Sequence, residues 1–197
     1  MTGLSTIKKN LYYFNDNGVL QTKQWLTLNG KTYYIGASGY ALKSQWLYKG
    51  NLLVYVKSDC TVAKSELVKI GSSTYYFNSK SKRSKGFKKV KGKYYYCNAN
   101  GIIYKKRWIT KSGKKYYVQK SGVRVDNKLV KIGKYKYYFN TKGVLQKNTE
   151  IEYNNKIYKA DANGRCKFVE YADKDDTTDN SGASTEVNAS ASADTGK

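Results

Sequence analysis

The chain has 197 residues and a formal net charge of +23, with 21 tyrosines against 5 phenylalanines, 17 glycines, no proline and no histidine. Without histidine the commonest general base near neutral pH and the commonest metal ligand are gone, so enzymatic and metal-centred readings fall away first. A proline-free chain rich in amphipathic aromatics, whose turns must be made by glycine, favours β-hairpins over a helical protein.

Read from the N-terminus, the sequence repeats. Tyr12, Tyr33, Val54, Tyr75, Tyr95, Tyr116, Tyr137 and Tyr158 are successive first positions of one motif, spaced by 21 residues except for a single step of 20. The first copy, "YYFNDNG", is expected to begin inside a repeat, because only Ile7 to Leu11 stand ahead of its tyrosine pair. The second is the clearest. A strand around Trp25 to Leu28, a tight turn at Asn29-Gly30 and a strand from Lys31 to Ile35 are predicted, followed by a glycine-bearing connection. Period-two alternation puts Tyr33 and Ile35 on one face and Thr32 and Tyr34 on the other. The first tyrosine of each pair is therefore expected in the core, and the second on a surface open to a ligand.

Later copies keep the plan. Thirteen residues after the first position stands Trp25, Trp46, Leu67, Trp108 or Leu129, with Phe87 one residue early in the short copy. One period is too short for a strand, crossover helix and second strand. A lone hairpin is marginal in water, so each must bury its apolar face against its neighbours. The fold class expected is all-β, an elongated β-hairpin solenoid of about eight 21-residue repeats over residues 1–168. The eighth copy, "YKADANG", loses the second tyrosine to Lys159, as a terminal cap requires. Residues 169–197 read as a disordered, acidic, low-complexity tail. Seven acidic and two basic residues from Glu170 onward give that tail −5, which leaves +28 on the repeats.

Few residues invite chemistry. Cys60, Cys97 and Cys166 match neither a disulfide framework nor a metal-site spacing and fall at different points of the period, so they are read as incidental. Asp16 and Asp59 fall in turns, where aspartate commonly bonds its own backbone, and no carboxylates recur as a pair. Neither a cofactor motif nor a membrane-spanning run is present, and the N-terminus lacks the apolar core of a signal peptide. Oligomeric state is left open.

The units "WLTLNGKTYYIGASGYA" and "WITKSGKKYYVQKSGVR" resemble the cell-wall-binding repeats of Gram-positive bacterial surface proteins, a superfamily that includes choline-binding, glucan-binding and clostridial-toxin short repeats. The resemblance covers residues 7 to 168. It implies a β-solenoid outside the cell, associated with the wall and attached in many relatives to a catalytic or adhesive domain, so this chain is expected to be part of a longer exported protein. In the choline-binding branch, aromatic residues of adjacent hairpins form a cage. Trp25, Trp46 and Trp108 match its first tryptophan, and Tyr34, Tyr76, Tyr96, Tyr117 and Tyr138 match its second tyrosine. The residue before the pair, tryptophan in that branch, is here Leu11, Thr32, Leu53, Thr74, Tyr94, Lys115 or Lys136. Most interfaces have thus lost one wall, and several have gained a lysine.

Two mechanisms of contact follow. Trp25, Tyr34, Trp46, Tyr76, Tyr96, Trp108, Tyr117 and Tyr138 are candidates for stacking on sugars. Lys85, Lys88, Lys89, Lys91, Lys93, Lys114 and Lys115 are candidates for contact with a polyanion, such as the phosphates of teichoic acid, through many weak contacts on one rod. Arg83, Arg107, Arg124 and Arg165 are too few for base-edge reading, which argues against a specific nucleic-acid partner. The expected function is noncatalytic attachment to the cell wall through an anionic polymer or carbohydrate. A neutral-glucan module and a spacer or adhesive stalk without its own glycan are the alternatives.

Overall fold

A computed structural model describes residues 1–172. Eight antiparallel hairpins follow one another: β1 (Gly3–Ile7) with β2 (Asn10–Phe14), β3 (Gln24–Leu28) with β4 (Lys31–Ile35), β5 (Gln45–Lys49) with β6 (Leu52–Val56), and β7 (Glu66–Ile70) with β8 (Ser73–Phe77). Then come β9 (Gly86–Val90) with β10 (Lys93–Cys97), β11 (Arg107–Lys111) with β12 (Lys114–Val118), β13 (Lys128–Ile132) with β14 (Tyr135–Phe139), and β15 (Thr149–Glu152) with β16 (Lys156–Ala160). A last strand, β17 (Cys166–Tyr171), folds back onto β16.

The predicted second unit is reproduced strand for strand. Its turn has φ of +48° at Asn29 and +73° at Gly30, the paired positive values that a two-residue type I′ turn demands. Trp25 then stands opposite Tyr34 and Leu26 opposite Tyr33. Correction is needed at the first copy: Gly3 to Ile7 pair with Phe14 to Asn10, so that hairpin is complete.

The core is a ladder of one residue per unit. Ile35, Val56, Phe77, Cys97, Val118, Phe139 and Ala160 end the second strand of successive hairpins, and none is more than 3% exposed. This rung lies two residues beyond the first tyrosine position, on the same face. The first position itself is only partly core: Tyr33, Val54 and Tyr158 are buried, whereas Tyr75, Tyr95, Tyr116 and Tyr137 are half-buried. Alternation placed these side chains on the correct face, but that face at its outer end opens into the gap between hairpins.

Backbone hydrogen bonds stitch consecutive units. The amide of Ala41 donates to the Leu11 carbonyl at 2.7 Å, Val62 to Thr32 at 2.8 Å, Ile103 to Thr74 at 2.8 Å, Arg124 to Tyr94 at 2.7 Å and Leu145 to Lys115 at 2.9 Å. Each acceptor is the residue just before a tyrosine pair. Its structural role is carried by the carbonyl, which explains why the side chain there is free to vary. The connections are held by Asx turns: the side chains of Asn15, Asn78, Asn98, Asn140 and Asp161 each accept from the amides two and four residues on. Asp59 accepts from the amide and hydroxyl of Thr61, as its turn position suggested.

The eighth unit is capped by an added strand rather than by loss of apolar character alone. Strand β17 pairs along β16 and meets β14 at Lys136 and Cys166, joining β13 to β17 into a five-stranded sheet. It continues to Tyr171, and the segment expected to be a disordered tail lies, from residue 173 on, outside the described residues.

All three cysteines are buried and unpaired, and they serve as packing residues. Cys97 is a rung of the core ladder, and burial pushes its thiol up to about 11 against the lowering effect of Lys88. A neutral buried thiol is not a nucleophile. Native protein at pH 8 is therefore expected to leave Cys97 unmodified by a maleimide that labels it fully in denaturant. Because the folded value is raised, stability from this burial is complete below the unfolded value and declines as pH rises from 9.0 toward about 11.

Candidate ligand-binding surface

The hairpin register sets the predicted aromatic candidates in cross-strand pairs. Trp25 lies 4.8 Å from Tyr34, Trp46 5.1 Å from Tyr55, Phe87 4.9 Å from Tyr96 and Trp108 5.3 Å from Tyr117, centroid to centroid. Tyr76 stands opposite Leu67 and Tyr138 opposite Leu129, and the Tyr138 hydroxyl donates to Asn127 Oδ1 at 2.7 Å. Trp108 is the most open tryptophan, at 36% exposure. Tyr117 departs from expectation: it is buried among Val125, Phe139 and Leu145, because Trp108 covers it on the outside.

The gaps between hairpins contain residues that sequence reasoning left in the core. Trp46 meets Tyr75 of the next hairpin at 5.5 Å, Phe87 meets Tyr116 at 4.8 Å and Trp108 meets Tyr137 at 5.0 Å. Beside Trp108 and Tyr137 a cleft of about 280 Å3 is lined also by Thr110, Lys115, Leu145 and Arg165. Two aromatic faces with two cations at the rim suit a sugar that carries negative charge. A larger concavity of about 1010 Å3 lies near the last hairpins, lined by Tyr135, Glu150, Lys159, Asp161, Arg165 and Lys167, whose charges are mixed.

Charge is distributed by residue type. All four arginines lie over aromatic rings: Arg83 over Trp46 at 5.3 Å, Arg107 over Tyr104 at 4.7 Å, Arg124 over Tyr94 at 4.2 Å and Arg165 over Tyr135 at 4.3 Å. Lysines are mostly left to solvent. Lys85, Lys89, Lys91, Lys93, Lys114 and Lys115 are exposed, while Lys88 is half-buried opposite Tyr95. Lys111 stands directly opposite Lys114, and Lys131 opposite Lys136. Among the described residues only Lys57, shared by Asp59 and Glu66 at 3.3 and 3.1 Å, and Arg124, beside Asp126, reach a carboxylate.

The family described as "Putative cell wall binding repeat" matches residues 2–20, 23–41, 65–80, 85–103, 106–123 and 127–145, more than half of the chain. The chain belongs to the cell-wall-binding repeat family. The match skips the third unit, where valine replaces the first tyrosine and Cys60 the turn glycine, although β5 and β6 form the same hairpin there. Membership makes this an extracellular, wall-associated repeat module of the Gram-positive type, and the matched units are binding repeats.

Solved structures share the repeat fold. CbpJ from Streptococcus pneumoniae TIGR4 aligns with a TM-score of 0.62 and 21% identity, over 84% of this chain and 58% of its own. Choline binding protein F from Streptococcus pneumoniae gives 0.60 and 22%, over 84% and 57%. The choline-binding domain of CbpL from the same species gives 0.56 and 24%, over 86% of this chain and 99% of that domain. The wall-binding module thus spans under three fifths of the first two relatives. A comparison with curated proteins finds no significant match.

Proposed function

We propose that this wall-binding module holds an anionic wall polymer, such as a teichoic acid, through rows of exposed lysines, with the aromatic pairs gripping the sugars that carry the charge. The cross-strand lysine pairs carry this reading. Like charges directly opposite on a β-ladder are destabilising, yet Lys111 faces Lys114 and Lys131 faces Lys136 with no carboxylate against them among the described residues. A spacer would lose nothing by replacing them, whereas a polyanion receptor uses them.

The polymer would run across the hairpins, touching the paired Lys111, Lys131 and Lys136 as well as Lys85, Lys88, Lys89, Lys91, Lys93, Lys114 and Lys115, and seat one charged sugar in the Trp108 cleft against Tyr137, Lys115 and Arg165. Trp25 with Tyr34, Trp46, Tyr76, Tyr96, Tyr117 and Tyr138 supply the remaining aromatic surface, Tyr117 through its support of Trp108. Affinity would come from multivalency, each contact being weak.

Retention on purified walls, before and after chemical removal of teichoic acid, tests the reading. Binding that disappears with the polymer and weakens steeply with salt is expected. Retention that survives both treatments transfers the contact to neutral glycan and the aromatic pairs, and no retention on either wall sinks wall attachment through these residues.

A further inference from the structure

Arg124 sits where every packing rule would put an aliphatic residue. The equivalent place in the connection after the other hairpins is held by Leu20, Ala41, Val62, Ile103, Leu145 or Cys166, with Arg83 as the second exception. Most of these are 4–8% exposed, and Arg124 is nearly as buried at 9%. Its guanidinium carbon is 4.2 Å from the Tyr94 ring centroid, 5.2 Å from Phe87 and 5.7 Å from Tyr116. These rings come from β9, β10 and β12, so two hairpins close three π faces around one cation.

The cation is held from behind as well. Both carboxylate oxygens of Asp126 accept from Arg124, from Nε and from Nη2, the latter at 3.0 Å. The turn glycine of the next unit, Gly143 at φ +71°, closes over the pair, and a Cβ there would collide with both Arg124 Nε and Asp126 Oδ1. A cage of several aromatic faces is the arrangement that selects a quaternary ammonium, whose charge cannot be satisfied by hydrogen bonds. Here the charge is covalently part of the chain, and its N–H donors have a carboxylate of their own.

We propose that Arg124 is a built-in ligand: its guanidinium permanently fills an aromatic cage between the fifth and sixth hairpins that would otherwise accept an external quaternary ammonium. Arg83 does the same with a single wall, its guanidinium carbon 5.3 Å from the Trp46 indole. Arginine stands at this position in two of the aromatic-lined gaps, whereas the Trp25 gap holds Val62 and the Trp108 gap Leu145. Where that lining is aliphatic, as with Leu4 and Leu11 in the first gap, the position holds Ala41. The two arginines therefore exclude ammonium ligands from these gaps and keep the joints rigid without any ligand bound.

The test uses the full chain and tetramethylammonium as probe, followed through the ring signals of Phe87, Tyr94 and Tyr116 by NMR. In the native protein these signals should not move. In Arg124→Met, which leaves the cage walls and an apolar side chain of similar reach, they should titrate with an affinity at least about tenfold higher than native. Signals that move equally in both proteins, or that stay still in a folded Arg124→Met variant, would overturn the proposal. The native Arg124 Nε–H supplies a readout that needs no variant: upfield-shifted by the rings and slow to exchange is expected, while a solvent-like shift with rapid exchange also overturns it. Wall retention should be equal in the two proteins, since Arg124 is not on the surface. Its loss from both would count against the wall-polymer reading and leave this one standing.

Discussion

Replacing Phe139 with alanine is expected to cost about 3–5 kcal/mol, the range for removing a fully buried aromatic side chain. Phe139 is 0% exposed, ends β14, and touches the sixth and seventh units at once. Its ring lies 5.8 Å from Trp108 and packs in one cluster with Tyr117, Val125 and Leu145. A solenoid is stabilised by interfaces between neighbours, so a lost rung weakens the contact on each side and no distant core compensates. Urea denaturation followed by the fluorescence of the three tryptophans measures the effect, with Trp108 reporting the damaged interface. Tyr135→Ala, at a 44%-exposed site in the same strand, should change stability by less than about 1 kcal/mol. Equal losses in both variants would show that the ladder is not the core.

Exchanging Lys111, Lys114, Lys131 and Lys136 for glutamine should weaken retention on teichoic-acid-bearing walls by about two orders of magnitude, taking on the order of 1 kcal/mol per lysine at an anionic surface as an upper limit. The same variant should keep its stability within about 0.5 kcal/mol. Two opposed effects set that narrow range. Cross-strand repulsion is relieved, but Lys111 and Lys136 also lie 5.6 Å from Phe87 and 5.8 Å from Tyr158, and those cation–π contacts are lost. Binding and stability thus respond separately. The residual salt dependence should also be shallower, as fewer charges are screened. A variant that binds native-like at every salt concentration would remove these lysines from the contact.

Arg and Lys divide the work of a strongly basic chain. The planar, weakly hydrated guanidinium stacks on rings and tolerates burial there: all four arginines lie over an aromatic ring, Arg124 buried, Arg83 half-buried, and Arg107 and Arg165 exposed. The strongly hydrated ammonium stays in water, where a flexible polymer can reach it. The net charge of +23 therefore overstates what the surface offers only slightly, because so few of its carriers are internal.

The sequence by itself determined the period, the hairpin, the turn at Asn29-Gly30 and the family. Each depends on residues within one 21-residue unit, where strand alternation and turn chemistry act locally. Of the seven lysines that the sequence singled out, six are exposed and Lys88 is half-buried opposite Tyr95, and it did not single out Lys111, Lys131 or Lys136. The tertiary structure decided what lies between units. Phe87 and Arg124 are 37 residues apart, and only the stitching of one hairpin's connection to the carbonyl of the preceding hairpin, Arg124 to Tyr94, brings them into one cage. The same stitching made Tyr116 and Tyr137 walls of a gap rather than plain core, and pairing with β17 closed the last unit. Alternation assigns a side chain to a face of its own strand. Which neighbour that face meets, and whether a cation already occupies the meeting place, depends on how successive units are turned and docked.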